Sequence, residues 1–240
     1  MMLDMRYKIV GLAALSLTAI TGCRRPSPQA LSTRGPVTAC AATTPYVVLN
    51  GADTVGVSWN TVTDFTFDAT VHAVSQGALL RFSGRRSPAG DVERMNVRIW
   101  HNIADSAAVP TQQATVEFRP GEVVSVVSAP ARGSQTQRDP VPPGSLPYMA
   151  NVPLLLELIQ RRVPRGAAAP VQVPVLWLFT GGEMDRVQVS QPAPDSVVLR
   201  FELTEYRLRR SADGAIAGGT GRALQDSTAD RTRIVRPGCR

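Results

Sequence analysis

The chain has 240 residues, 43% hydrophobic, 5% aromatic and 19% charged, with 19 glycines, 19 prolines and a formal net charge of +7. That much apolar material can bury a core in one domain, or at most two, which excludes disorder throughout, and the Gly and Pro content favours short strands and turns over long helices. Coiled coils, helical repeat arrays and polytopic membrane proteins are excluded on the same grounds, and no stretch matches a recognised catalytic or binding signature.

Arg6 and Lys8 form a charged start, and residues 9–20 are apolar or small throughout. The run is shorter than the roughly 20 residues needed to span a bilayer, so it reads as an export leader rather than a membrane helix. It ends in Ile20-Thr21-Gly22-Cys23, which closely resembles a bacterial lipobox. The resemblance implies a lipoprotein signal peptide over residues 1–22, with Cys23 lipidated and becoming the mature N-terminus. Arg24, rather than Asp, follows the cysteine, and the family's sorting rule then points to an outer-membrane lipoprotein facing the periplasm.

The only lysine, Lys8, is lost with such a leader. The arginines that remain are scattered, as Arg85-Arg86, Arg161-Arg162, Arg209-Arg210 and Arg231, Arg233 and Arg236, with no basic stripe interleaved with aromatics. This pattern argues against nucleic acid as a partner and for weak attraction to anionic head groups. With Cys23 assigned to lipid, Cys40 and Cys239 are left, and an oxidising periplasm permits them to pair. A bridge between them would close a loop of about 200 residues, worth roughly 5 kcal/mol on the chain-entropy model. Neither His72 nor His101 lies near a cysteine, so no metal site is expected.

Residues 23–44, rich in Pro, Ser, Thr and Ala without periodicity, read as a flexible tether. From residue 45 onward the pattern is one antiparallel β domain. Residues 46–49 and 54–62 flank an Asn50-Gly51 turn, with Val55, Val57 and Trp59 on one face. Residues 64–74 alternate clearly, with Phe65, Phe67, Ala69, Val71 and Ala73 facing one way and Thr66, Asp68, Thr70 and His72 the other. Strands follow at 78–83 and 92–101, and residues 113–119 and 122–128 form a hairpin about Pro120-Gly121. Residues 129–147, full of Pro, Gly and Gln, read as a flexible loop.

One convincing helix is predicted over 152–163, capped by Asn151, with Pro153 in its first turn and a stop before Pro164. Its leucines cover most of its circumference, so it must be largely surrounded. Strand patterns then return at 171–180, 185–191, 196–203, 205–210, 215–217 and 232–235. No strand is followed by a crossover helix, so the fold class is mainly β: a single antiparallel curved sheet or half-barrel of about ten strands packed on one Leu-rich helix.

A lipobox, a large antiparallel sheet and a Leu-rich helix between two sets of strands together resemble the periplasmic lipoprotein-localisation carriers and their outer-membrane receptor. They also resemble uncharacterised bacterial lipoproteins with the same order of elements. The carrier resemblance implies an apolar, acyl-binding cavity lined here by Leu154, Leu155, Leu158 and Ile159.

Chemistry finds less support. The nearest approach to a Gly-x-Ser-x-Gly elbow, Gly56-Val57-Ser58-Trp59-Asn60, lacks its last glycine and sits in a strand. The run Gly218-Gly219-Thr220-Gly221-Arg222 has neither the Lys-Ser/Thr nor the strand-to-helix context of a phosphate loop. No catalytic residue, metal or cofactor is expected. The leading expectation is a membrane-anchored envelope lipoprotein with a structural or assembly role, acting through its surface on an envelope protein partner. The alternatives are a carrier or binding module for an acyl chain or other apolar ligand held between sheet and helix, and a hydrolase of unrecognised type.

Overall fold

Alternation of apolar and polar side chains resolves into strands along nearly the whole body of the chain. The computed structural model describes residues 44–102, 104, 108–164, 166–167, 169–225 and 232–239. The lipobox with Cys23, the predicted tether before residue 44, and Cys40 lie outside the described residues. The first strands are β1 (Tyr46–Asn50), β2 (Asp53–Val62), β3 (Thr66–Ala73), β4 (Ala78–Arg86), β5 (Val92–Trp100), β6 (Gln112–Arg119), β7 (Glu122–Ala129) and β8 (Gly133–Pro140). A short β9 (Leu146–Tyr148) leads into the helix α1 (Pro153–Arg161). Then come β10 (Val171–Trp177), β11 (Met184–Ala193), β12 (Ser196–Arg200), β13 (Thr204–Arg210), β14 (Ile216–Ala223) and β15 (Thr232–Val235).

All belong to a 15-stranded sheet in the order β8-β7-β6-β5-β4-β3-β2-β1-β15-β14-β13-β12-β11-β10-β9. The count corrects the expected ten or so. Part of the difference is the segment 129–147, read as a flexible loop, which holds β8 and β9. β8 has the sequence GSQTQRDP, is exposed along nearly its whole length, and joins the sheet through its backbone ladder to β7. Having no buried face, it carries no alternation to read. Neighbouring strands run antiparallel except β9 and β10, which pair in parallel with Leu146 opposite Val175.

This order forces the sheet to roll. The chain starts in mid-sheet, meanders outward to the edge strand β8, and reappears as the opposite edge, β9, after only residues 141–145. Fifteen strands laid flat at about 4.8 Å spacing would put those edges some 67 Å apart. An extended link of that length reaches only about 20 Å, so the edges must approach one another. They do: a Cβ added to Gly182, in the β10–β11 loop, would lie 2.4 Å from Asp139 Oδ1 on β8. The ends of the meander, β1 and β15, pair with each other in the middle of the sheet.

The helix occupies the inside of the roll, where both halves of the sheet reach it. Tyr46 of β1 hydrogen-bonds Glu157, and Gln160 Nε2 donates to Gly214 O in the β13–β14 turn at 2.9 Å. Just beyond the helix, Arg162 donates to Ala89 O in the β4–β5 turn at 2.7 Å. Residues 153–160 are all buried. The helix is shorter than the predicted 152–163, and Asn151 is not its cap: it sits at φ 61° outside the helix, while Val152 is the extended first residue and Pro153 the first helical one. Proline fits there because the amide it lacks would have had no partner. Phe67, Phe82, Met95 and Val97 from one half of the sheet and Val175, Val187, Leu199 and Ile216 from the other meet the helix leucines in one continuous core.

Candidate functional site

The residues expected to line an apolar cavity are instead the centre of that core. Leu154, Leu155 and Ile159 are 0% exposed and Leu158 is 2% exposed. Clefts of about 680, 540 and 270 Å³ lie elsewhere on the described residues, and no residue of α1 lines any of them. Side chains fill the space between helix and sheet.

A polar break in this interior surrounds Glu157. Its carboxylate accepts from Tyr46 Oη at 3.1 Å and from Arg161 at 2.7 and 3.1 Å. The Arg236 guanidinium lies 4.8 Å over the Tyr46 ring. Burial pushes the Glu157 carboxyl above the ordinary glutamate range, against the opposing pull of Arg161 and Tyr46. Ser58, opposite Tyr46 in the β1–β2 register, and Asn60 are buried on β2 and hydrogen-bond each other. Thus the buried face of β2 is the polar one, and Trp59, between them, points to the outside of the roll at 40% exposure.

That outward turn builds the cleft of about 680 Å³, which lies across β2 to β5. Register sets its side chains in two transverse rows. Trp59 stands opposite Thr70, Thr70 opposite Arg81, and Arg81 opposite Arg98. In the adjacent row Thr61, Asp68, Ser83 and Asn96 follow one another in the same way. The Trp59 indole meets His72 edge-on, with ring centroids 5.1 Å apart. Arg81 lies 5.2 Å over the ring of Trp100, a cation–π contact that holds its guanidinium in place. Trp100 is itself fastened by its indole N–H, which donates to Ala108 O at 2.8 Å. Asn96 Oδ1 accepts from Thr115 at 3.0 Å. Among the described residues neither Arg81 nor Arg98 has an ion-pair partner. Desolvation alone raises the Asp68 carboxyl above its ordinary range.

His72, which the strand pattern placed on the same face as Asp68, four residues along, faces Trp59 instead. The glycine-rich stretch at 218–222 lies in β14, where it serves close packing: a Cβ on Gly219 would come within 2.5 Å of Arg207 O, and one on Gly221 within 2.7 Å of the Tyr206 ring. Cys239 packs beside Ala217. Nearby, Arg236 Nε donates to Thr44 O at 3.3 Å, bringing together the chain on either side of the described body. No helix among the described residues is long and apolar enough to cross a membrane, and among them no group of His, Cys, Asp and Glu is arranged to hold a metal.

No family model matches the sequence, and no curated protein matches it. Among solved structures, a DUF1089 family protein from Pseudomonas aeruginosa is similar, with 9% sequence identity and a TM-score of 0.49, over 81% of this chain and 95% of that one.

Proposed function

We propose that the protein is a membrane-anchored envelope lipoprotein with a structural or assembly role, held through lipidated Cys23 at the periplasmic face of the outer membrane and acting through the outside of its rolled sheet. The observation that carries this reading is the filled interior. Leu154, Leu155, Leu158 and Ile159 pack against both halves of the sheet, leaving the outer face, with its exposed indole and arginines, as the surface open to a partner. The lipobox supplies the anchor, and the basic outer face suits an anionic envelope surface.

Two measurements test it. Cys23→Ala should move the protein from the membrane fraction to the soluble periplasm, and unchanged membrane retention would remove the anchor from the reading. A fluorescent fatty acid titrated into the wild type should show no saturable binding. Saturable binding that Leu158→Ala weakens would replace the surface role with the acyl carrier.

A further inference from the structure

We propose that the cleft over β2–β5 binds an acidic oligosaccharide, with one sugar ring on Trp59 and the carboxylate of a later ring, two to three strand spacings away, between Arg81 and Arg98. The inference deepens the surface role above by naming a ligand for the outer face.

Directly opposed like charges on neighbouring strands are destabilising, yet Arg81 and Arg98 face each other with no carboxylate within ion-pair distance of either among the described residues. Asp68, in the same cleft, makes no ion pair with either arginine. An arginine pair of this kind presents planar donors suited to a carboxylate or phosphate. Because Arg81 is already held over Trp100, less rotamer freedom is lost when an anion binds.

The rest of the lining selects the body of the ligand. At the other end of the same row, Trp59 offers an indole braced by His72, a flat apolar surface on which the C–H face of a pyranose ring can stack. Between and beside them Thr61, Asp68, Thr70, Ser83 and Asn96 supply donors and acceptors along the cleft, matching a ligand that carries hydroxyls around its ring. A nucleotide fits less well. One indole cannot sandwich a base, and a base offers no C–H face with hydroxyls around it to meet the polar side chains of the rows. The volume, about 680 Å³, falls within the range of roughly 300–1,000 Å³ usual for small-ligand clefts.

The test is calorimetric titration of the full-length protein with trigalacturonate, maltotriose, adenosine monophosphate and inorganic phosphate, each at low and high salt. Trigalacturonate should bind at least tenfold more tightly than the other three, and salt should weaken it. Trp59→Ala and Arg98→Gln, both at exposed positions, should each weaken it about tenfold, as the loss of one stacked ring or one charge-assisted contact implies. Equal affinity for maltotriose, tighter binding of adenosine monophosphate, phosphate binding as strong as the saccharide, or indifference to both substitutions with folding intact by circular dichroism would each overturn the proposal. Cys23→Ala should leave these affinities unchanged, so a failure of anchoring and a failure of the saccharide site are read separately.

Discussion

At the residue scale, Glu157 shows what a charge costs inside this fold. The carboxylate is 3% exposed and is tolerated because Arg161, one helical turn on, and Tyr46 both donate to it. Arg86, Arg236 and Asp213 are further charged groups that act on this cluster. Removing one partner of a buried pair strands the other, so Arg161→Met should destabilise the protein by about 3 kcal/mol near neutral pH. The sign with pH follows from protonation. Folded Glu157 holds its proton to higher pH than an unfolded glutamate, so its contribution to stability is greatest below the ordinary glutamate pKa of about 4.3 and is lost as pH rises through the folded value. Without Arg161 the folded value climbs further. Urea unfolding should therefore show a small deficit of the variant relative to wild type at about pH 4 and the full deficit at about pH 8. A deficit independent of pH would mean that the arginine acts through packing alone.

At the element scale, the helix and the central strands were legible because burial imposes a period. Phe67, Ala69 and Val71 alternate inward on β3, and Met95 and Val97 do so on β5. β2 misleads, since Ser58 and Asn60 occupy its buried face while Val57 and Trp59 look outward; apolarity alone does not say which face is inside where the core contains a polar cluster. β8 gave no period at all. The cleft residues were invisible for another reason. Trp59, Arg81 and Arg98 lie on three strands, and only the register sets them in one row. The signal that could have found them was the repeated alternation of polar residues at 68/70, 81/83 and 96/98, with Trp59 and Thr61 in the same phase on β2. The helix offers a quantitative check on the filled interior: Leu155→Ala or Leu158→Ala should cost about 2 to 5 kcal/mol in thermal or urea unfolding, the range for a cavity opened in a packed core. A loss below about 1 kcal/mol would indicate that the surroundings collapse into the space or that it was never tightly filled.

At the scale of the whole molecule, the order of strands explains why the two chain ends matter. Because β1 and β15 pair in mid-sheet, the body is a single meander closed at its own seam, and separating that seam would split the sheet into two halves. Arg236 Nε to Thr44 O, at 3.3 Å, fastens it on one side. Cys40 precedes Thr44 by four residues and Cys239 follows Arg236 by three, segments that reach at most about 14 Å and 11 Å when extended. Both thiols can therefore be brought within the Cα separation of about 4.4–6.8 Å that a disulfide requires, and the oxidising compartment implied by the lipobox would favour the bond. We expect mature protein recovered without reductant to resist alkylation at both cysteines, and Cys239→Ser to lower stability by about 2 to 5 kcal/mol relative to oxidised wild type. The two proteins should become indistinguishable once wild type is reduced. Free, alkylatable thiols at both positions in the oxidised protein would leave the β1–β15 ladder and the Arg236 contact to hold the seam without a covalent link.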